Sequence, residues 1–468
     1  MPLMKKDHIL IVGAGLCGSL LALRLGQRGY SVTLVEKRPD LRLHPLDAGR
    51  SINLALSERG LKALNHVGLN DKVRALCIPM SGRMIHQNQT APFFSPYSGR
   101  PDTAINSISR PGLNALLLNE VEALPNITLK FNLSCLSVAL ENGSATFIDN
   151  QQQEITLTGD ILIGTDGAGS KVRQSMFAAP GLRFSFSQQW LSHGYKELEI
   201  PAGPNGSYLM NPEALHIWPR GKDMLIALPN LNGSFTVTLF MSYADQPYGF
   251  DHLTQPEAIA DYFQTQYPDT LALMPDLVAQ YQKNPTGGLG TIRCSPWHCH
   301  GKTLIMGDAA HAIVPFYGQG MNASFEDVLV FDQVLDQDHT NWPERFAAFE
   351  QARKLNTDAI ADLALDNFHE MKEHTADPLF QQKRQLEVAF ETELPQHYAS
   401  KYSLVTFHAD IPYHQAMQLG RAQDKAILSL LEEQQLPADL PLEERYQRVE
   451  KRTQQLLAQK PTLKHTSL

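Results

Sequence analysis

His8-Ile9-Leu10-Ile11-Val12-Gly13-Ala14-Gly15-Leu16-Cys17-Gly18 is the stretch on which the fold turns. Its first five residues form a compact β-branched and aliphatic run, the pattern of a buried parallel strand. Three glycines follow at G-x-G-x-x-G spacing, and Leu20 to Arg28 continues with helical apolar spacing. Ser31-Val32-Thr33-Leu34-Val35-Glu36 reads as a second strand and completes a βαβ unit. Gly13 permits the tight turn, Gly15 lets backbone approach a pyrophosphate, and Gly18 lets helix and strand pack closely. The helix N-terminus offers free N–H groups and a positive dipole end to phosphates. Glu36, about 20 residues on, ends the second strand where a carboxylate accepts ribose hydroxyls. Cys17, Lys37 and Arg38 join the candidate cofactor contacts at this end of the unit. The loop alone leaves open whether the dinucleotide is FAD or NAD.

Two more strands lead into loops. Asp160-Ile161-Leu162-Ile163-Gly164 runs into Thr165-Asp166-Gly167, and Lys302-Thr303-Leu304-Ile305-Met306 runs into Gly307-Asp308. The three elements lie far apart in sequence, so the nucleotide domain is predicted to be discontinuous. Between the second and third, Tyr208 to Leu215, His216-Ile217-Trp218, Met224 to Leu228 and Phe235 to Met241 alternate or run apolar between turns, which predicts an antiparallel sheet. From Glu344 the pattern turns helical, with Phe346, Phe349, Leu355, Ile360 and Leu363 suiting one helical face and breaks near Pro378, Pro395, Pro412 and Pro437. The chain reads as α/β, then β, then α.

Composition narrows the class. A chain of 468 residues, 43% hydrophobic, suits two or three packed domains rather than one. Its formal charge of -9 disfavours a general role on nucleic acid or anionic membrane. The N-terminus lacks the pattern of a secretory signal, and no stretch approaches the roughly 20 apolar residues that span a bilayer. Cys17, Cys77, Cys135, Cys294 and Cys299 are scattered and odd in number, as expected of reduced thiols. A cytoplasmic location without a membrane anchor is the expectation; the oligomeric state stays open. Cys294-Ser295-Pro296-Trp297-His298-Cys299-His300 looks like half a metal cluster, but no second half stands at zinc-site spacing, so no metal is expected.

The two later loops carry the cofactor reading. Asp166-Gly167-Ala168-Gly169-Ser170-Lys171-Val172-Arg173 and Gly307-Asp308-Ala309-Ala310-His311 resemble the D-G-x-x-S-x-V-R and G-D-A-A-H strings of flavoprotein hydroxylases. Asp308 suits a ribityl hydroxyl, and on general grounds it also suits a helix N-cap. Ser109-Arg110-Pro111-Gly112-Leu113 is a further match, in which the family places an arginine on FAD. Three separated strings in the same order resemble the FAD-dependent aromatic hydroxylases that share the para-hydroxybenzoate hydroxylase fold. That resemblance implies an α/β fold: a discontinuous FAD-binding Rossmann-type domain (1–75, 100–178 and 290–343), an antiparallel β-sheet substrate domain (76–99 and 179–289) and a C-terminal helical region (344–468).

Within that class, Gly49 to Ser57, Met80 to His86, Pro315 to Asn322 and Lys401 to Phe407 resemble the kynurenine 3-monooxygenase family. The resemblance implies that Arg83, Tyr97, Asn367 and Tyr402 hold the amino-acid end of L-kynurenine, and a planar guanidinium suits a free carboxylate. Phe240, Phe316 and Met371 are candidates for the wall around the ring. Met321 and Asn322 are expected to present backbone to the isoalloxazine, and Ala55 and Cys135 match further FAD-contact positions. The chemistry implied is reduction of FAD by NADPH, reaction with O2 to a C4a-hydroperoxide, and oxygen transfer to the ring. No side chain is assigned a catalytic role, because the cofactor carries the reaction. The rivals are a flavin hydroxylase of another aromatic acid and a non-catalytic binding protein of the same fold. Eukaryotic members of the family carry a C-terminal membrane anchor, whereas Thr462 to Leu468 is too short and polar to enter a bilayer.

Overall fold

A computed structural model describes residues 6–43, 53–88, 90–100, 103–373 and 378–459, with no account of the side chains of 371–373. Gly49 to Ile52, the side chain of Met371 and the tail 462–468 therefore lie outside the described residues.

The first βαβ unit forms as its pattern predicts. His8–Val12 and Ser31–Val35 flank the helix Leu16–Gln27, which starts earlier than its apolar spacing suggested because the glycine loop ends directly on it. His8–Val12 is the centre of a six-stranded sheet ordered His298–Cys299, Thr303–Ile305, Ile161–Gly164, His8–Val12, Ser31–Val35, Ile127–Lys130. Every pairing is parallel except that of the short outer strand His298–Cys299. Parallel strands point their C-terminal ends the same way, so the Gly13, Glu36, Asp166 and Asp308 loops, distant in sequence, open on one edge.

The seven-stranded sheet runs Thr286–Ser295, Ser185–Ile200, Phe235–Ser242, Asp223–Pro229, Ala214–Arg220, Gly82–Ile85, Phe93–Pro96. Side chains alternate across it with a period of two. Trp218, Leu225 and Leu239 pack on the helices Pro256–Gln266 and Leu277–Lys283. Ile217, Ile226 and Thr238, each one residue out of step, face the opposite side.

Two expectations need correction here, and one strand had no counterpart among them. Tyr208 to Glu213 is not strand: Asn211 Oδ1 accepts the Glu213 amide at 2.9 Å, closing a local turn, and the strand begins only at Ala214. That strand pairs with Gly82–Ile85 in parallel, so the sheet is mixed rather than antiparallel. The sixteen-residue strand Ser185–Ile200 was hidden because its first half, Ser-Phe-Ser-Gln-Gln-Trp, lies exposed and lacks an apolar alternation.

The helical region comprises Trp342–Glu373, Pro378–Glu393, Lys401–Thr406, Tyr413–Glu432 and Leu442–Ala458. Phe346, Phe349, Ile360 and Leu363 are fully buried, but Leu355 is 58% exposed and leaves the predicted face. Pro378 opens one helix and Pro412 caps another, so the prolines mark helix starts. No helix among the described residues is long and apolar enough to cross a membrane.

Candidate active site

A cavity of about 900 Å³ runs from the first glycine loop to the helical region. That is the upper end of the range for ligand pockets, large enough for an elongated cofactor with a small second molecule. It separates into a nucleotide arm and an aromatic chamber.

In the nucleotide arm each glycine has its own reason. Gly13 takes φ +105, and a Cβ there would sit 2.7 Å from the Thr165 carbonyl. A Cβ on Gly18 would meet the Gly13 carbonyl at 2.0 Å. At Gly15 it would meet nothing within 4 Å, so that position faces open space at the helix N-terminus, as a phosphate cradle requires. Glu36 Oε2 accepts the Ala14 amide at 3.0 Å and Oε1 accepts the Arg38 guanidinium at 2.8 Å, which fixes the carboxylate on the arm's wall. Gly15, Cys17, Glu36, Lys37, Arg38 and Arg110 all line the arm. Arg110 is exposed at the start of the helix Arg110–Glu122, capped by Ser109.

The second and third loops support each other. Asp166 accepts from the Ser170 hydroxyl at 2.5 Å and the Lys171 amide at 2.7 Å, and burial raises its pKa. Arg173 donates to the Ala309 carbonyl at 2.7 Å and to the Ala168 carbonyl, tying one loop to the other. Gly307, with φ +61, holds the N-cap position of the helix Asp308–His311, so Asp308 is the first helical residue rather than the cap and is half-buried on the cavity. Beneath it, Asp327 accepts from the Gly307 amide at 3.0 Å, from His311 at 2.6 Å and from Arg353 at 2.7 Å. Burial opposes its ionisation, but His311 and Arg353 outweigh that and hold its pKa below the ordinary value. His311 is thereby part of the loop's support.

Cys135, Ala55, Asp166 and Met321 also line the cavity; burial pushes the Cys135 thiol up to about 12. Gly18 and Asn322 do not line it. Asn322 is fully buried: its amide donates to the Ala55 and Gly318 carbonyls, both at 2.9 Å, and accepts from the Ser57 amide at 3.0 Å. Its side chain fastens the strand Leu54–Leu56 to the helix Gly320–Leu335, a role no sequence pattern announced. Taken together, the open Gly15 position, the glycine-lined helix start and the half-buried Asp308 fit a dinucleotide with a polyol chain, as FAD has.

The aromatic chamber brings together the residues of three distant segments. Arg83 projects from the strand Gly82–Ile85, its guanidinium 5.2 Å from the Tyr97 ring centroid and 4.6 Å from that of Tyr402. Tyr402 stacks on Tyr97 and on Tyr317, with centroids 5.5 Å apart in each case. Among the described residues Arg83 has no carboxylate partner, and its guanidinium stands against the buried Tyr97 hydroxyl. Burial would lower the Arg83 pKa, but Tyr402 and Tyr97 outweigh it and the net direction is upward. Burial also raises the pKa of both phenols, so they stay protonated donors at neutral pH. Asn367 reaches the chamber from the helix Trp342–Glu373 and donates to the Phe316 carbonyl at 2.6 Å. Phe240 and Phe316, 5.1 Å apart, wall the far side with Met224, Ile226 and Leu215. The last three, and Thr238 beside them, were not singled out from sequence, because apolar strand residues look alike whichever side they face.

Cys294, Trp297 and Cys299 are core residues behind the nucleotide sheet, with the Cys294 thiol donating to the Ala310 carbonyl at 3.2 Å. Among the described residues no group of His, Cys, Asp or Glu has the arrangement to hold a metal.

A sequence model of the FAD binding domain family matches residues 6–342. The kynurenine 3-monooxygenase of Myxococcus xanthus is 46% identical over 92% of this chain and 91% of its own length. That of Dictyostelium discoideum is 42% identical over 92% and 94%. Among solved structures, the tetrameric form of 2-methyl-3-hydroxypyridine-5-carboxylic acid oxygenase aligns with a TM-score of 0.64 at 19% identity, over 84% of this chain and 98% of that one. At that identity the likeness concerns the fold alone.

Proposed function

The chain belongs to the kynurenine 3-monooxygenase family of FAD-dependent aromatic monooxygenases, and on that premise we propose that it hydroxylates L-kynurenine to 3-hydroxykynurenine. One atom of O2 enters the ring and the other leaves as water, with NADPH supplying the two electrons. FAD, when bound, supplies the redox and oxygen chemistry. The chain's own residues bind, orient and exclude water.

One observation carries the reading: a single cavity joins the Gly13 loop to Arg83, a guanidinium without a carboxylate partner among the described residues. A free α-carboxylate completes that charge with paired donors. Tyr97 and Tyr402, kept protonated by burial, add hydroxyl donors, and Asn367 frames the same end. Phe240 and Phe316 then hold the ring between apolar surfaces, aimed along the cavity toward Met321. No acid–base pair is needed there, because the ring amine already donates electron density to the carbon beside it. Membership of an enzyme family disposes of the non-catalytic rival.

We read residues 1–75, 100–178 and 290–343 as the FAD-binding unit, 76–99 and 179–289 as the substrate sheet, and 344–468 as the helical region. The net charge of -9 speaks against nucleic acid as a partner, and five free cysteines support a cytoplasmic setting. The test is NADPH oxidation in air, with and without L-kynurenine, while products are weighed by mass spectrometry. Stimulated oxidation with a product one oxygen heavier is expected. Stimulation without that product would make kynurenine an effector, and no stimulation of an FAD-loaded protein would sink the substrate.

A further inference from the structure

Thr238 lies in the middle of the strand Phe235–Ser242, fully buried, with its side chain on the wall of the aromatic chamber. Its hydroxyl has no hydrogen-bond partner among the described residues. The surroundings make that unusual. Of its two cross-strand partners, Ile226 lines the same wall and is apolar, as is its same-face neighbour Phe240, while the buried Glu197 on the other side does not line the chamber. A buried hydroxyl without a partner carries a desolvation cost that a methyl group in its place would not. At a residue inside a ligand cavity, the missing partner belongs on the ligand.

We propose that the Thr238 hydroxyl accepts a hydrogen bond from the ring amine of the substrate and so selects ortho-amino aryl ketones over rings without the amine. This rests on the substrate reading above. In a 2-aminobenzoyl group one amine N–H points at the adjacent ketone oxygen and is satisfied internally. The second N–H has no internal acceptor and would be buried unpaired against Ile226 and Phe240. A hydroxyl is both donor and acceptor and rotates to suit, so Thr238 supplies the acceptor that N–H lacks. With Arg83 at the amino-acid end and Thr238 at the ring, the substrate is fixed at both ends. The ring cannot then turn over to present the carbon para to the amine in place of the one beside it.

The test uses FAD-loaded enzyme, L-kynurenine and its desamino analogue 3-benzoylalanine. Dissociation constants come from perturbation of the flavin spectrum in the wild type, Thr238→Val and Thr238→Ser. The wild type is expected to prefer kynurenine by about tenfold or more, the value of one satisfied donor. Thr238→Val should lose that preference by weakening kynurenine alone, and Thr238→Ser should restore it. Ligand-free Thr238→Val should also melt no lower than the wild type, since it removes an unpaired hydroxyl at nearly constant shape. A valine variant that keeps the wild-type ratio between the two ligands overturns the proposal. So does a loss of affinity equal for both, which would mean altered packing. If the wild type fails to hydroxylate kynurenine at all, the substrate reading falls first, and the proposal with it.

Discussion

Arg83→Ala separates the substrate reading from a merely structural arginine. Among the described residues no carboxylate pairs with Arg83, and its contacts in the free protein are with Tyr97 and Tyr402, whose rings it covers at 5.2 and 4.6 Å and whose hydroxyls it meets. Such cation–π contacts contribute about 0.5–2 kcal/mol to the fold. On the proposed reading, the larger interaction is reserved for the ligand. Losing a charge-assisted hydrogen bond to the substrate carboxylate costs roughly 1.5–3 kcal/mol, which raises the kynurenine Kd from about tenfold to more than a hundredfold. Arg83→Lys should fall between, since the charge survives and the planar fork does not. Binding should be measured directly by flavin absorbance without NADPH, because KM equals Kd only when chemistry is slow. The decarboxylated amine analogue is the control. It should bind the wild type weakly and lose little further in Arg83→Ala. An unchanged kynurenine Kd, or an equal loss for both ligands, refutes the assignment of Arg83 to the carboxylate.

The glycine loop offers a contrast: Gly15→Ala, at φ -68 with open space beyond, should leave the apoprotein's Tm intact while weakening FAD retention. Gly18→Ala, 2.0 Å from the Gly13 carbonyl, should cost about 1–3 kcal/mol of stability as well, read by denaturant melts of both apoproteins. Asn322→Ala strands the buried Ser57 amide and two carbonyls, so a loss of about 3 kcal/mol in urea unfolding is expected, with FAD binding falling as a consequence. His216, buried under the substrate sheet, has its pKa pushed down to about 4, first by burial and also by neighbouring His86. The unfolded chain then binds the extra proton more readily, so stability is complete above about pH 6.5 and declines as pH falls toward 4, by roughly 3 kcal/mol. A His216→Phe variant should show a flatter pH dependence of ΔG over that window, and an unaltered slope would clear His216.

The nucleotide arm was legible in the sequence because its constraints are local. Gly13 needs its positive φ within one turn, and Asp166 finds its partners Ser170 and Lys171 within five residues. Such patterns survive in a string of letters. The chamber is different, because Arg83, Tyr97, Asn367 and Tyr402 converge from a strand, a loop and two helices. Only family resemblance pointed to them. Asn322 illustrates the limit: its string was recognised, but the work of its side chain depends on Ala55 and Ser57, which nothing in that string specifies. Thr238 was invisible altogether, since whether a strand residue faces a cavity or the packed helices is fixed by register, and a slip of one residue reverses it.

How the two halves of the site keep their spacing follows from a pair of buried guanidinium groups. Arg353 pairs with Glu326 at 2.5 Å and with Asp327 at 2.7 Å, and Asp327 in turn holds the Gly307 amide of the cofactor loop. Arg59 pairs with the same Glu326 at 3.0 Å, donates to the Val405 and Ile411 carbonyls at 2.8 and 2.6 Å, and covers the Tyr413 ring at 3.9 Å. Val405 belongs to the short helix that carries Tyr402. A continuous run of charge-assisted bonds therefore joins the loop of Asp308 to the tyrosine beside Arg83. Buried ion pairs add little net stability compared with apolar packing, yet breaking one costs about 3–5 kcal/mol, so such a network penalises displaced geometries more than it favours folding. Oxygen transfer demands that kind of support, because misplacing the ring by about 1 Å can cost on the order of a hundredfold in rate. On the proposed reading, this network is the frame that holds Tyr402 and Arg83 at a fixed distance from the Asp308 loop.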